Sequence, residues 1–293
     1  MDTQARRFIG RSIPRQEDRR LLLGRGRFIA DIHLPGMLHV AFVRSAVAHA
    51  RIRSIEIARA LASPGVVAVF TGANIRAHLE LIPGMQNRPP KAWREANAGM
   101  PIECRGVVAQ YDPATDSMTV WSATQVVHWV RREVAVRLAL PEARVRCIAP
   151  DVGGGFGVKG HVYPEDVLIP YLARRLGRPV KWIEDRLEHI LNAAHARDDR
   201  HEVEIAFDAE GRILAIRDRL LKDSGAYVPV GVGTPVNTAV HLLGPYHVPN
   251  YDVSITIVAT NKTPNAPYRG AGRPEAAFVM ERHDGPHRTC PRS

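Results

Sequence analysis

The stretch "DVGGGFGVKG", residues 151 to 160, places five glycines in ten positions directly after the apolar-alternating run "ARVRCIAP". Glycine tolerates positive φ and lets a ligand approach the main chain, but it loses more backbone entropy on folding than any other residue. A loop this costly needs a structural or chemical reason, and three ligand readings compete. As a dinucleotide fingerprint, "GFGVKG" satisfies G-x-G-x-x-G after a strand, with Glu184 and Asp185 near the spacing of a ribose contact. Against it, "HVY" and Pro164 delay the helix, whereas a pyrophosphate needs the helix N-terminus inside the motif. A Walker-type phosphate loop is excluded, because Lys159 is followed by Gly160 and offers no magnesium-binding hydroxyl. The third reading is a main-chain cradle for an anionic, oxygen-rich cofactor, built from Gly153, Gly154, Gly155 and Gly157 with Phe156 as the one bulky residue fixing the loop. Its ligand-free counterpart is a tight strand-to-helix turn.

The periodicities around the loop define the frame. "HVAFVRS" and "GVVAVFTG" read as short buried strands, with "IEIARALAS" as a short helix between them, ended by Pro64-Gly65. Residues 81 to 100 break the pattern with prolines and read as a linker or a join. "GVVAQYDPATDSMTVWSA" is two strands about the turn "DPATD", and Val126, Val130, Val134 and Leu138 then recur at helical spacing. "PEDVLIPYLARRLG" reads as a helix with Pro164 in its first turn and Gly177 at its end, followed by the strand "RPVKWIED". "HEVEIAFDAEGRILAIRDRLL" is a hairpin about "DAEG", and "YDVSITIVAT" alternates Val253, Ile255 and Ile257 toward one face. Helices intermingled with antiparallel hairpins predict an α+β fold. The apolar helical opening "EAAFVMER" gives way to the unpatterned tail 283 to 293.

The formal charge of +10 invites a nucleic-acid reading, but of the 40 basic residues only Lys91, Lys159, Lys181, Lys222 and Lys262 are lysines. The arginines are scattered, often beside acids as in "QEDRR" and "RDDRHE", which reads as a solvated surface rather than a phosphate-binding stripe. Cys104, Cys147 and Cys290 match no metal or redox spacing, and there is no HExxH, so no protein-held metal is expected. No apolar run is long enough for a membrane span and no secretory core opens the chain, so the expectation is a cytoplasmic protein.

Two further stretches bear on the loop. In "WSATQVVH", Gln125 sits at a strand-to-helix junction with an amide able to donate to an oxo group; such a residue also simply starts helices. In "TNKTPNAPYRGAGRPE", Arg269 and Arg273 stand in a stiff, glycine-relieved loop where they could clamp a carboxylate or carbonyl.

In chain order, "SATQ", "DVGGGFGVK", "RPVKWIEDRLEH", "HARD", "DSGAY", "GPYHVPN" and "TNKTPNAPYRGAGRPE" resemble the molybdenum-cofactor-binding large subunit of the xanthine dehydrogenase and aldehyde oxidase family, including the carbon monoxide dehydrogenase type. The N-terminal "RSIPRQEDRRLLLGRGRFIADIHLPGMLHVAFVRSAVAHARI" resembles that family's opening and its small α/β hammerhead domain. The resemblance implies a partial hammerhead domain over 1–80, a linker or deletion join over 81–100, the first part of a molybdenum-cofactor-binding domain over 101–282, and an unpatterned tail. It implies that the amide of Gln125 and the main-chain N–H of Phe156 approach the metal, with Gly153, Gly154, Gly155 and Gly157 around the pterin, and that Arg269 orients substrate. The cofactor would be molybdopterin or its cytosine dinucleotide. The activity would be water-derived hydroxylation of an aldehyde or N-heterocycle carbon, with electrons passed to iron–sulfur clusters and FAD on partner subunits.

Departures from the family shape the remaining expectations. Gly160 stands where some members carry an acid, and Gly270 where the carbon monoxide type has a cysteine, which argues against copper chemistry. The family's general base, a glutamate, belongs to a C-terminal half beyond Arg282. The expectation is therefore an internally deleted and C-terminally truncated large subunit, inactive as a lone chain. The alternatives are a non-catalytic remnant or subunit-binding module and, more distantly, a dinucleotide-binding oxidoreductase.

Overall fold

The computed structural model describes residues 12–79 apart from 46, 48, 49 and 77, then 97–226 and 233–284. Most of the expected join at 81–100, and the tail from 285, lie outside the described residues. The centre of the molecule is a five-stranded mixed sheet in the order β1-β6-β3-β4-β5. Its strands are β1 (Leu38–His39), β3 (Gly106–Asp112), β4 (Ser117–Ser122), β5 (Val145–Ile148) and β6 (Val180–Ile183). The β3–β4 hairpin runs in register from Val107 opposite Ser122 to Asp112 opposite Ser117, as the turn in "DPATD" requires. β2 (Asn97–Ala98) pairs apart from this sheet with β7 (His195–Ala196).

Helices α4 (Val127–Arg137) and α5 (Pro164–Leu176) close the sheet. The expected seam is present: Val130 and Val134 are fully buried, packed with Val107, Met118, Val120, Ile169 and Trp182. Burying each such valine contributes about 1.5–3 kcal/mol, enough to orient the helix. Pro164 occupies the first turn of α5, where its missing N–H costs nothing, and Gly177 caps the end in the left-handed region at φ 61°.

A second, three-stranded sheet orders β10-β9-β8, with β8 (Asp199–Phe207) antiparallel to β9 (Ile213–Asp223) and β10 (Tyr251–Val258) parallel to β9. A parallel neighbour needs a crossover, and the chain supplies α7 (Gly233–His241) within it. With α8 (Arg273–Asp284), α7 covers Ile216 through Leu242, Ala276, Val279 and Met280. The alternation in β10 falls as expected, with Val253, Ile255 and Ile257 inward.

The N-terminal region departs from expectation. Of "HVAFVRS" only His39 is strand, the second residue of β1, in which Leu38 and His39 pair with Val180 and Lys181, and "GVVAVFTG" forms none. Their burial is one-sided: Val40, Phe42 and Phe70 pack against the main core, whereas Val43 is fully exposed and Val66 and Val67 are exposed. A strand is held by its ladder, and apolar alternation cannot supply a partner strand. Side chains anchor this region instead: Phe42 packs edge-on to Trp182 with centroids 5.6 Å apart, and Arg44 reaches Glu165 and Glu188. Short helices α1 (Asp18–Leu22), α2 (Ala58–Leu61) and α3 (Gly72–Arg76) complete it. Helix α6 (Arg186–Asn192) was not legible as a helix. Among the described residues no helix is long and apolar enough to cross a membrane.

Candidate functional site

The glycine loop follows β5 and is gripped from several distant segments. At its start, Asp151 accepts a bidentate pair from the Arg20 guanidinium and an N–H from Arg27, and the Arg20 hydrogen bond holds its carboxyl down to about 2. Glu103 then accepts from the Gly153 N–H at 2.8 Å and from the buried Lys159 ammonium at 2.9 Å. A side chain at Gly153 would run into Glu103, and one at Gly155 would meet the Gln125 amide at 2.5 Å.

The loop itself takes backbone conformations that side chains avoid. Gly154 and Gly157 have φ of 97° and 94°, and Phe156 between them sits at 53°, half exposed. The Gly157 N–H donates to Gln125 Oε1 at 2.9 Å, which leaves the Gln125 amide NH2 as a donor. Among the described residues, the N–H groups of Gly154, Gly155 and Phe156 meet no protein acceptor. Successive unpaired amides beside an amide NH2 form an anion-binding concavity. The residues therefore fit an anionic, oxygen-rich group.

Gly157 is also where the arginine loop arrives. A β-carbon at Gly157 would collide with the Pro267 carbonyl and lie 3.3 Å from the Tyr268 α-carbon, and one at Gly99 would lie 3.2 Å from the Tyr268 ring. The segment leading to Arg269 is pinned to the "HARD" stretch: His195 N–H donates to Pro264 O at 2.9 Å and Ala266 N–H to His195 O at 2.8 Å. Arg197, in the left-handed region at φ 67°, donates to the Arg269 carbonyl at 2.6 Å and lies over the Tyr268 ring at 4.9 Å. The Arg269 side chain is exposed, and Arg273 turns back to the Gly270 carbonyl at 3.4 Å. The structure thus brings Gln125, Gly153 to Gly157 and the Arg269 loop together, while Arg273 caps its own turn.

Beneath the loop lies a buried ion network that charge counting could not reveal. Arg105, 4% exposed, binds Glu184 through Nε at 2.9 Å and Nη2 at 2.5 Å, and Glu165 through Nη1 at 3.0 Å. Its guanidinium lies 3.7 Å from the Tyr163 ring centroid. Burial opposes ionisation of Glu184, but hydrogen bonds from His189 and the Arg105 charge hold its carboxyl down to about 2. The reading of the arginines as a solvated surface fails here: Arg105 is interior because two buried carboxylates need it. So does the ribose role for Glu184, which is 2% exposed with both oxygens engaged. Cys104, Glu184 and His189 bring ligand atoms within 4.8 Å of one another. Both His189 nitrogens are already used, however, by Glu184 at 2.7 Å and the Gly99 carbonyl at 2.8 Å.

Tyr163 joins this network to the loop. Its hydroxyl donates to the Val158 carbonyl at 2.7 Å and accepts from the Ala194 N–H at 3.1 Å, all buried. Tyr163→Phe orphans both groups and is expected to lower stability by about 1–3 kcal/mol in urea denaturation. Arg197, Glu103, Arg105 and Tyr163 are the residues missed from sequence. "HARD" was a visible word, but nothing in it gave Arg197 a partner.

Comparison with known proteins identifies the family. The model of a molybdopterin cofactor-binding domain matches residues 93–283, and that of the aldehyde oxidase and xanthine dehydrogenase a/b hammerhead domain matches residues 23–96. The chain is 34% identical to 6-hydroxypseudooxynicotine dehydrogenase complex subunit gamma of Paenarthrobacter nicotinovorans, over 373 positions covering 94% of this chain and 47% of that protein. It is 29% identical to the carbon monoxide dehydrogenase large chain of Hydrogenophaga pseudoflava, covering 91% of this chain and 47% of the relative. Among solved structures, quinoline 2-oxidoreductase from Pseudomonas putida 86 superposes with a TM-score of 0.81 at 33% identity, over 93% of this chain and 48% of that one. The chain therefore spans about half the length of the relatives it matches.

Proposed function

Because this chain belongs to the molybdopterin-binding large subunits of the aldehyde oxidase and xanthine dehydrogenase family, we propose that its glycine loop, Gln125 and the Arg269 segment form one side of the cofactor and substrate site of a molybdenum hydroxylase. The observation that carries the reading is the run of unpaired main-chain N–H groups at Gly154, Gly155 and Phe156, beside the free NH2 of Gln125. These are fixed donors that a pterin phosphate and an oxo-rich metal centre require. When bound, the cofactor supplies the two-electron chemistry by which an electron-poor carbon gains oxygen from water.

The chain's own part is binding and orientation. Gln125 and the Phe156 N–H donate toward the metal side, Gly153 to Gly157 let the backbone close on the pterin, and the exposed Arg269 orients substrate. No acid near the loop is assigned as general base: Glu103 is held by Lys159 and Gly153, and Asp151 by Arg20 and Arg27. The quinoline and hydroxypseudooxynicotine in the names of two relatives favour an N-heterocyclic substrate over a simple aldehyde. Iron–sulfur and FAD-binding subunits are the proposed electron acceptors, in keeping with relatives named as a complex subunit or a large chain.

The proposed division is a partial hammerhead over 1–80, a join at 81–100 and the cofactor domain over 101–282. An alignment of 373 positions exceeds the 293 residues of the chain, so the relative carries residues within the aligned span that this chain lacks.

The test is molybdenum per chain by elemental analysis, after expression in a host that makes the cofactor together with iron–sulfur and flavin subunits. The expected ratio is near one, falling several-fold in Gln125→Leu with the melting temperature little changed. A ratio near zero in folded wild-type protein would overturn cofactor binding and leave a subunit-binding module.

A further inference from the structure

Behind the glycine loop, between β3, β4 and the start of α5, the packing leaves a small polar cavity with room for about one water molecule. Ser122, Thr124, His161 and Asp166 face it, with Arg105 and Lys159 along its wall. His161 is only 5% exposed, and its Nδ1 is buried without any hydrogen-bond partner, although its ring stacks on Tyr163 at 4.1 Å between centroids. An orphaned ring nitrogen of this kind costs on the order of 1–3 kcal/mol unless something in the cavity satisfies it. Asp166, equally buried, accepts from Ser122 Oγ at 2.7 Å and from the Tyr163 N–H at 2.9 Å, one bond per oxygen, so each oxygen retains a lone pair.

We propose that this cavity is the binding site of one internal water molecule, which bridges His161 Nδ1 to the Ser122–Asp166 pair and backs the junction where Gln125 meets the glycine loop. The junction rests on the same wall: the Gln125 N–H and the Thr124 hydroxyl both donate to the Lys159 carbonyl, at 2.9 and 3.3 Å. A water has the required size, can donate to one group while accepting from another, and needs two to four polar partners, which the cavity provides. An apolar occupant would leave His161 and Asp166 unsatisfied. This site is independent of whether the chain binds molybdopterin.

The water links two groups whose proton affinities are inverted by burial. Burial pushes Asp166 up to about 6 despite its two hydrogen bonds, and pushes His161 down to about 4, helped by the Arg105 charge. The other ionisable groups facing the pair are Glu165, Lys159, Tyr163 and, from β5, Cys147. On acidification the carboxyl therefore takes a proton before the imidazole does. Linkage then gives opposed slopes: Asp166 stabilises the fold as pH falls from about 6 toward its unfolded value, whereas His161 destabilises it as pH falls from 6.5 through about 4. Asp166→Asn is expected to lose stability more steeply than wild type between pH 6.5 and pH 4.5, and His161→Phe less steeply or with reversed sign.

The deciding experiment is a crystal structure of the full chain at a resolution that shows ordered solvent. The expected result is one density peak within hydrogen-bond distance of His161 Nδ1 and of Asp166 or Ser122, absent in His161→Phe. A dry cavity in the wild type, or a peak that survives His161→Phe, would overturn the site. The wild-type map decides even if the variant does not fold.

Discussion

Gly157→Ala is expected to abolish molybdenum retention and to lower the stability of the chain by roughly 3 kcal/mol or more, combining strain at a glycine-only φ with forced displacement of backbone. Two independent facts converge on this residue. Its φ of 94° suits glycine alone, and a β-carbon there would lie inside the contact radius of the Pro267 carbonyl oxygen and 3.3 Å from the Tyr268 α-carbon. The neighbour is backbone, so no rotamer change relieves the clash. The loop and the Arg269 segment would have to part, and the Gly157 N–H would leave Gln125. Gly211 is the control: its φ is 81°, but a β-carbon there meets open space, so its alanine variant carries only the left-handed strain of about 1–2 kcal/mol. Urea denaturation of both variants, with metal analysis, separates conformational strain from the close approach. Equal losses would mean that the contact with Pro267 contributes nothing.

Arg105→Met is expected to cost about 3–5 kcal/mol, the range for breaking a buried ion pair from one side. The guanidinium neutralises Glu184 and Glu165, each at most 3% exposed, and it bonds the first through two of its nitrogens. Arg44 and His189 remain as partners of Glu165 and Glu184, so the loss is severe but not total. In the wild type Glu184, held at about 2, contributes stability that is full above its unfolded value near pH 4.5 and is lost as pH falls through about 2. Without Arg105, burial dominates and raises the carboxyl, so the variant should recover stability on acidification toward pH 5 where the wild type gains none from this group. Denaturation midpoints at pH 7.5 and pH 5 read this directly. A variant with the wild-type profile would show that Arg105 is not the counter-charge. Because His189 also bonds the Gly99 carbonyl, and Gly99 abuts Val158 and Tyr268, the damage should reach the glycine loop.

What the sequence made legible was whatever is local and periodic. The seam of Val130 and Val134, the hairpin register at "DPATD", Pro164 and Gly177 at the two ends of α5, and the alternation in β10 each follow from contacts within a few residues or from one buried face. The glycine loop was recognisable as a word, and the order of the other words around it identified the family. What was not legible is long-range. Arg105 reads as one arginine among many until Glu165 and Glu184 are folded beside it, and the spacing of Glu184 from the glycines left it a ribose candidate in the disfavoured dinucleotide reading because its burial was unknown. "HVAFVRS" has the composition of a strand, but after His39 and the Val40 N–H, which donates to the Lys181 carbonyl, it finds no strand to pair with among the described residues.

The cradle is assembled from pieces that begin at Gly99 and end at Arg269, and the closing contact, Gly157 on Pro267, joins residues more than a hundred positions apart. Closing loops of that length is slow, and it yields no binding surface until the last piece docks. On a translating ribosome, the amides of "GGGFG" would emerge long before the strap that holds them open. The loop therefore takes its folded shape only after the arginine segment has left the exit tunnel, and under the proposed function cofactor capture would follow that late emergence.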